Sequence, residues 1–143
     1  MSKFYQDFYP LKNPDKYLGK TRPYFRSSWE KNVMKLFDEH PSVTGWASES
    51  IRIPYRNPFT NKITTYVPDF FVIYTDAHGT QHVELIEVKP SSQISGNSKR
   101  KQDKAAAMVN EAKWEMASKW CQQQGISFRI ITENEIFRSP KKG

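Results

Sequence analysis

Two short segments of the 143-residue chain contain the residue types that could do chemistry, and the clearer one is typical of the end of a buried strand. Glu87 and Lys89 are two residues apart, so in a strand their side chains point to the same face. Their neighbours Leu85, Ile86 and Val88 are apolar, which predicts a strand buried on both sides. A carboxylate and an ammonium in such surroundings are costly unless they are paired, hydrogen-bonded or bound to a metal ion.

Asp69 repeats this pattern in the other segment, where it follows Pro68 and opens the apolar run of residues 70–73. Neighbouring antiparallel strands can bring Asp69 and Glu87 side by side, and two carboxylates at that distance repel each other. A divalent cation relieves the repulsion, and oxygen ligands favour Mg²⁺ or Mn²⁺ over Zn²⁺. Lys89 beside such a metal could orient a water molecule or stabilise developing phosphate charge. The alternative is a structural Glu87–Lys89 pair at a sheet end, with Asp69 in a turn.

This arrangement resembles the PD-(D/E)xK nuclease motif, in which Pro-Asp is followed by Glu-x-Lys. Here the Pro-Asp pair ends at Asp69, and 17 residues separate it from Glu87. The resemblance implies that Asp69 and Glu87 are catalytic metal ligands, that the Val88 carbonyl is a further ligand and that Lys89 is the catalytic lysine. Many members of the superfamily add a Glu from the first helix, and Glu30 stands where that residue is expected.

Glu30 and Glu49 are the less certain acidic candidates, and each has a structural alternative. Glu30 lies three residues after Ser27, so it can equally close a capping box at the start of a helix. Glu49 shares the predicted strand face of Ile51 and Ile53, where a buried acid would need a partner. A surface-facing glutamate at a strand start is the favoured interpretation of Glu49 over a metal ligand.

A closer resemblance extends over most of the chain. It is to the catalytic domain of TnsA-type transposon endonucleases and to the head-completion nucleases of tailed phages. The runs that carry it are residues 26–30, 43–49, 51–55, 66–70 and 86–90. The small size of the chain and its Pro- and Tyr-containing segment at residues 10–17 favour the phage family. This resemblance implies an enzyme that acts on the end of the packaged genome before tail attachment, with portal, neck or head-completion proteins as partners.

A basic cluster precedes or opens the predicted long helix, and its members are Lys99, Arg100, Lys101 and Lys104. Three or four phosphate contacts there predict salt-sensitive, sequence-independent binding of double-stranded DNA. Cations at a helix N-terminus oppose the helix dipole, so folding alone does not favour them at this place. A solvated helix face is the alternative, with similar weight.

The elements that must position these residues follow from periodicity and turn residues. In order, they are a helix from Ser28 to a stop at His40-Pro41, strands over residues 43–55, 62–74 and 81–89, a helix over residues 99–124 and a strand over residues 126–131. Pro68 is expected to interrupt the second of these strands. The first three strands are joined by short turns, which predicts an antiparallel meander, and the long helix permits a parallel fourth strand. The predicted fold class is α/β with a mixed sheet, and the resemblance implies a restriction-endonuclease-like core of helix-strand-strand-strand-helix-strand.

Length and composition limit the function classes. The chain suits one domain, predicted over residues 28–138, with a Pro- and aromatic-rich arm over residues 1–27 and a basic tail over residues 139–143. Lys and Arg number 22 and Asp and Glu 15, so the net charge of +7 favours a polyanionic partner. The single Cys121 excludes an internal disulfide and a cysteine-based zinc cluster. No apolar run is long enough to cross a bilayer.

Motif, charge and resemblance together predict a divalent-metal-dependent DNA endonuclease that hydrolyses phosphodiester bonds. The expected cofactor is Mg²⁺, with Mn²⁺ as a substitute, and the expected location is the host cytoplasm or the virion. One alternative is a non-catalytic DNA-binding structural protein of the viral neck or portal. Another is a nuclease subunit for transposition or repair, which would need a partner that supplies target choice.

Overall fold

The computed structural model describes residues 6–89 and 101–132, with side chains from residue 104 in the second range. The predictions for Lys99 and Arg100 and for the basic tail at residues 139–143 lie outside the described residues. No helix within the described ranges combines the length and apolarity that crossing a bilayer requires.

A mixed four-stranded sheet organises the described part of the chain. Its strands are β3 (Val43–Ser48), β6 (Phe70–Thr75), β7 (Gln81–Val88) and β8 (Ser127–Ile131), in the spatial order β3-β6-β7-β8. The first three are antiparallel neighbours, and β8 pairs with β7 in parallel. The mixed sheet with a parallel fourth strand that periodicity predicted is therefore confirmed.

Two predicted strands are broken in the structure. The prediction of one unbroken strand over residues 43–55 was wrong, and the predicted interruption of the strand over residues 62–74 at Pro68 was confirmed. Between the breaks lies a separate hairpin of β4 (Ile53–Arg56) and β5 (Ile63–Tyr66), paired antiparallel. The first break is at Glu49, whose φ of 49° takes the backbone out of the extended region. The second contains Pro68, which has no amide hydrogen to donate to a strand ladder. Both breaks therefore occur at the same edge of the sheet.

Two helices flank the sheet. Helix α1 (Ser28–Glu39) begins at Ser27, whose side chain accepts a hydrogen bond from the Glu30 amide at 3.1 Å. The Glu30 carboxylate accepts in turn from the amide of Arg26 at 2.8 Å, one residue before the expected capping-box donor. Helix α2 (Lys101–Gln124) ends before Gly125, whose φ of 76° is the left-handed conformation common after helix ends.

The core divides into two clusters because neighbouring strand residues point to opposite faces of the sheet. Ile86 belongs to the cluster under α1, and Leu85 belongs to the cluster under α2. Both side chains are 1% exposed, so β7 is buried on both sides, as its apolar run predicts. Complete burial of a side chain of this size stabilises a protein by about 1.5–3 kcal/mol. The centre of the sheet is thus a rigid support for the residues at its edge.

The N-terminal segment packs on the α1 side. Its short strands β1 (Asp7–Phe8) and β2 (Tyr24–Phe25) pair antiparallel, and Tyr9 and Phe25 join the α1 cluster. Asp38 of α1 is fully buried and holds this segment, accepting hydrogen bonds from the Tyr9 hydroxyl and from the amides of Lys12 and Asn13 at 2.8–3.0 Å. A buried carboxylate with three donors ties the segment to the domain.

Candidate active site

Acidic residues stand beside the ends of three neighbouring strands, at the edge where the chain breaks. Phe70 of β6 pairs with Ile86 of β7, so the next positions along this antiparallel register are Asp69 and Glu87. On the other side of β6, the Glu49 amide donates a hydrogen bond to the Asp69 carbonyl at 2.9 Å. The strand ends therefore place Glu49, Asp69 and Glu87 in adjacent positions across the sheet.

Asp69 is held by the neighbouring strand and is close to another negative charge. Its Oδ2 accepts a hydrogen bond from the Val88 amide at 2.8 Å. Burial raises the pKa of the Asp69 carboxyl well above its usual range, and the charges of Glu87 and Glu30 raise this pKa further. The Val88 hydrogen bond and the charge of Lys89 oppose the rise without cancelling it. An ionised Asp69 is thus an energetically costly group that a cation would stabilise.

Glu87 is 7% exposed, and each of its two carboxylate oxygens has a partner. The Tyr66 hydroxyl donates a hydrogen bond to Oε1 at 2.7 Å, and Lys89 Nζ lies 3.8 Å from Oε2. Burial raises the pKa of Glu87, while the Tyr66 hydrogen bond and the charges of Lys89 and Lys113 lower it. The side chains of Glu87 and Lys89 therefore meet at one strand end, as their spacing of two predicts.

Glu30 and Glu49 complete the acidic edge: Glu30 lies in the first turn of α1, and Glu49 directly follows β3. Burial raises the pKa of Glu30, the Arg26 amide and charge oppose the rise, and the charge of Glu49 adds to it. Glu30 therefore makes a helix-capping contact and also lies within electrostatic reach of Asp69. Glu49 is exposed and pairs with Arg26 Nη1 at 2.6 Å. This position agrees with the surface-facing interpretation of Glu49.

The donor set at this edge fits a hard divalent cation. Asp69 and Glu87 supply carboxylate oxygens from adjacent strand ends, and both have raised pKa values. Among the described residues, no three acidic, histidine or cysteine side chains converge closely enough to hold a metal ion by themselves. A two-carboxylate site suits Mg²⁺, which keeps several waters and takes only one or two protein carboxylates.

Sequence reasoning missed Tyr66 and Lys113. Tyr66 is the last residue of β5, is 4% exposed and donates a hydrogen bond to Glu87. Lys113 Nζ lies 5.5 Å from the centre of the Tyr66 ring and 5.9 Å from that of Tyr55, and its charge favours ionised Glu87. A sequence signal existed for Lys113, since it falls four residues after Val109 and four before Ala117 on the apolar face of α2. The Tyr66 contact depends on how the hairpin packs and had no such signal.

The basic cluster lies only in part within the described residues. Lys104 is exposed near the start of α2. Lys101 is the first residue of α2, and its side chain lies outside the described set. The DNA-binding role predicted for this cluster stays a prediction.

Comparison with known proteins agrees with the nuclease motif. A family model described as "TnsA-like endonuclease N terminal" matches residues 40–133, which include Asp69, Glu87 and Lys89. The chain belongs to the TnsA-like endonuclease family. This endonuclease is also 31% identical over 137 residues to the "Head completion nuclease" of Enterobacteria phage T4, with 87% of this chain and 89% of the relative covered. The resemblance to TnsA-like and head-completion nucleases is confirmed.

Proposed function

We propose that this protein is a Mg²⁺-dependent endonuclease that hydrolyses phosphodiester bonds of double-stranded DNA during phage head completion. The observation that carries the proposal is the Asp69–Glu87 pair, two half-buried or buried carboxylates with raised pKa values at neighbouring strand ends. A pair of this kind is costly to keep unless it serves a ligand. Its place inside a TnsA-like endonuclease domain supports a nuclease reaction.

The metal would be held by Asp69 and Glu87, with the Val88 carbonyl as a further oxygen ligand. When bound, Mg²⁺ or a substituting Mn²⁺ supplies Lewis-acid polarisation of the phosphate and lowers the pKa of a coordinated water molecule. The Val88 amide and the Tyr66 hydroxyl orient the two carboxylates through hydrogen bonds of 2.8 and 2.7 Å. These contacts lock the rotamers of the proposed ligands before a metal arrives.

We propose that Lys89 contacts the reacting phosphate. The Lys89 ammonium lies 3.8 Å from Glu87 Oε2. The Lys89 side chain is 25% exposed, so its ammonium can face a substrate at the sheet edge. There it can orient the attacking water and stabilise the charge that develops on the phosphate oxygens. The charge of Glu30 acts on Asp69 and adds to the negative charge of the edge, so we assign Glu30 electrostatic support of cation binding.

DNA is the substrate that best fits the charge of the whole molecule. A net charge of +7 attracts a polyanion, and Lys99, Arg100, Lys101 and Lys104 are proposed phosphate contacts. The T4 relative is a nuclease named for head completion and aligns over most of both chains. We further propose that this protein acts in host cytoplasm or on the assembling virion, with the packaged genome end as substrate and portal or neck proteins as partners.

The test is cleavage of defined DNA by the purified protein. Linear, supercoiled and overhang-bearing duplexes are incubated with Mg²⁺, Mn²⁺ or EDTA, beside the variants Asp69→Ala and Lys89→Ala, each checked for folding by circular dichroism. We expect cutting with either metal, none in EDTA and none in the two variants. Folded wild-type protein that binds DNA in a salt-sensitive way but cuts no substrate would instead favour a structural protein of the viral neck.

A further inference from the structure

The hairpin β4–β5 projects from the candidate active site itself. It occupies the segment between Glu49 and Asp69, and the hydrogen bond from the Glu49 amide to the Asp69 carbonyl ties its two ends together. One face of the hairpin packs against the α2 cluster through Ile53, Tyr55 and Tyr66. A packed base fixes the direction in which the hairpin leaves the site.

The segment that contains the hairpin is basic. Residues 50–68 contain Arg52, Arg56 and Lys62 but no aspartate or glutamate. Arg56 is used within the hairpin, where Nη1 donates a hydrogen bond to the Asn61 carbonyl at 2.8 Å. Arg52 and Lys62 are exposed, and neither side chain has an ion-pair or hydrogen-bond partner among the described residues. Two free cations without a neighbouring acid are suited to phosphate.

The tip of the hairpin is rigid and presents an aromatic ring. Asn57 Oδ1 accepts hydrogen bonds from the amides of Phe59 at 2.8 Å and Thr60 at 3.2 Å. The Asn57 amide donates to the Lys62 carbonyl at 2.9 Å, which closes the turn. Phe59 is 57% exposed on this braced turn. An exposed ring on a braced backbone is available to stack on a base.

The hairpin is short enough to contact the same DNA molecule that the active site cuts. Phe59 is ten residues from Glu49 and ten from Asp69 along the chain. Ten residues of strand span at most about 33 Å, at about 3.3 Å per residue. One turn of B-DNA is about 34 Å long, so the tip lies within about one helical turn of the scissile phosphate.

We propose that the β4–β5 hairpin is a second DNA-contacting element, in which Arg52 and Lys62 bind backbone phosphates and Phe59 stacks on an unpaired base. The proposal rests on the proposed function and deepens it, because it gives the enzyme a means to favour DNA with unpaired bases near the cut. Phosphate contacts position the duplex, and the aromatic contact requires a base that is not already stacked in a helix.

The phosphate contacts are tested by the salt dependence of binding. A fluorescent duplex of about 30 base pairs, or roughly three helical turns, is titrated in EDTA with wild type and with the double variant Arg52→Ala/Lys62→Ala. Loss of two phosphate contacts should lower the slope of log Kd against log salt by about 1.8. The control Lys35→Ala/Lys119→Ala removes the same charge from the two helices and should leave the slope unchanged.

The stacking contact is tested with two substrates. Phe59→Ala should weaken binding to overhang-bearing DNA by about tenfold and binding to blunt duplex by less than about twofold. Phe8→Ala is the matched control, because Phe8 is also an exposed aromatic residue, at 43%. Circular dichroism on each variant confirms that the fold is intact.

The outcomes separate this proposal from the nuclease assignment. An unchanged salt slope in the double variant, or equal losses on the two substrates for Phe59→Ala, overturns the hairpin proposal while wild type still cuts DNA. Wild-type protein that neither binds nor cuts DNA overturns both. A lowered slope together with an overhang-specific loss supports the hairpin proposal.

Discussion

The two aspartates that flank strand β6 have opposite electrostatic environments. Asp76, just after the strand, accepts hydrogen bonds from the amides of His78 and Thr80 and lies 2.8 Å from His82 Nε2. The His82 hydrogen bond is the main reason that the pKa of Asp76 falls to about 2. Asp69, just before the strand, has one amide donor and a carboxylate neighbour, and its pKa is raised.

Strand β7 repeats the contrast with two glutamates. Glu84 accepts a hydrogen bond from the Tyr74 hydroxyl at 2.7 Å and pairs with Arg129 Nε at 3.1 Å, an ion pair without hydrogen-bond alignment. Glu87 also has a tyrosine donor at 2.7 Å, but its cation is farther away, at 3.8 Å.

Asp76 and Glu84 are thus neutralised by side chains of the fold, while the Asp69–Glu87 end of the sheet keeps an excess of negative charge. A protein that needed only stability would neutralise both ends, because uncompensated buried charge is costly. The proposed metal ion would neutralise the excess at the Asp69–Glu87 end. The substitutions below test this difference by making the same change at each end.

The largest difference is expected for the two glutamates of β7. Glu87→Gln should lower the cleavage rate by about 1000-fold or more, since it removes a proposed metal ligand worth several kcal/mol of transition-state stabilisation. Glu84→Gln should change the rate by less than about twofold, because the contacts of Glu84 with Tyr74 and Arg129 stabilise the fold and take no part in the proposed reaction. Single-turnover cleavage of both variants measures this contrast. Equal losses would show that Glu87 has no special role.

Removing the hydroxyl of Tyr66 or of Tyr74 should give the same contrast between the Glu87 and Glu84 environments, with a smaller difference in cleavage rate. Tyr66→Phe should slow cleavage about tenfold, the effect of one hydrogen bond to a charged group. It should also shift the acidic limb of the pH–rate profile to higher pH, because Glu87 loses a donor that lowers its pKa. Tyr74→Phe removes the matching bond to Glu84 and should lower Tm without changing the pH–rate profile. An unshifted profile for Tyr66→Phe would contradict a positioning role.

Removing the charge of Asp69 should stabilise the metal-free protein. A carboxyl with a raised folded-state pKa contributes stability that is full below its unfolded pKa and is lost as pH rises through the folded pKa. Asp69→Asn avoids this loss, so at pH 7 in EDTA its Tm should exceed that of wild type by about 3–5 °C, on the order of 1 kcal/mol. The gain should shrink as pH falls towards about 4. A lower Tm at pH 7 would show that the carboxylate is structural.

The smallest effect is expected for the opposite aspartate. Asp76 has a lowered pKa of about 2, so its stabilising contribution is present above its unfolded pKa and is lost as pH falls through about 2. Asp76→Asn should lower Tm slightly at pH 7, and the difference from wild type should vanish in acid. Thermal unfolding across this pH range tests the sign. A stabilising Asp76→Asn would break the contrast between the two ends.

Much of this fold and site could be predicted from local pattern alone. The apolar neighbours of Glu87 predicted a doubly buried strand, and the spacing to Lys89 predicted that the two charges would meet. The cap at Ser27 also followed from neighbouring residues. These features depend on residues only a few positions apart, where backbone geometry leaves few choices.

Other features had no local signal. The helix cap that involves Glu30 uses Arg26 as the donor, and the break at Glu49 separates β3 from the hairpin within one predicted strand. Extended sequence with β-branched and aromatic residues does not reveal where a strand leaves one sheet for another.

The sequence by itself therefore determined the chemical groups, their strand-end spacing and the family to which they belong. Only the tertiary structure decided that Tyr66 bonds to Glu87, that Lys113 lies over the hairpin rings and that Asp38 holds the N-terminal segment. The physical reason is distance along the chain. Hydrogen bonds and charge interactions between residues separated by 20 or more positions exist only after the sheet, hairpin and helices have packed.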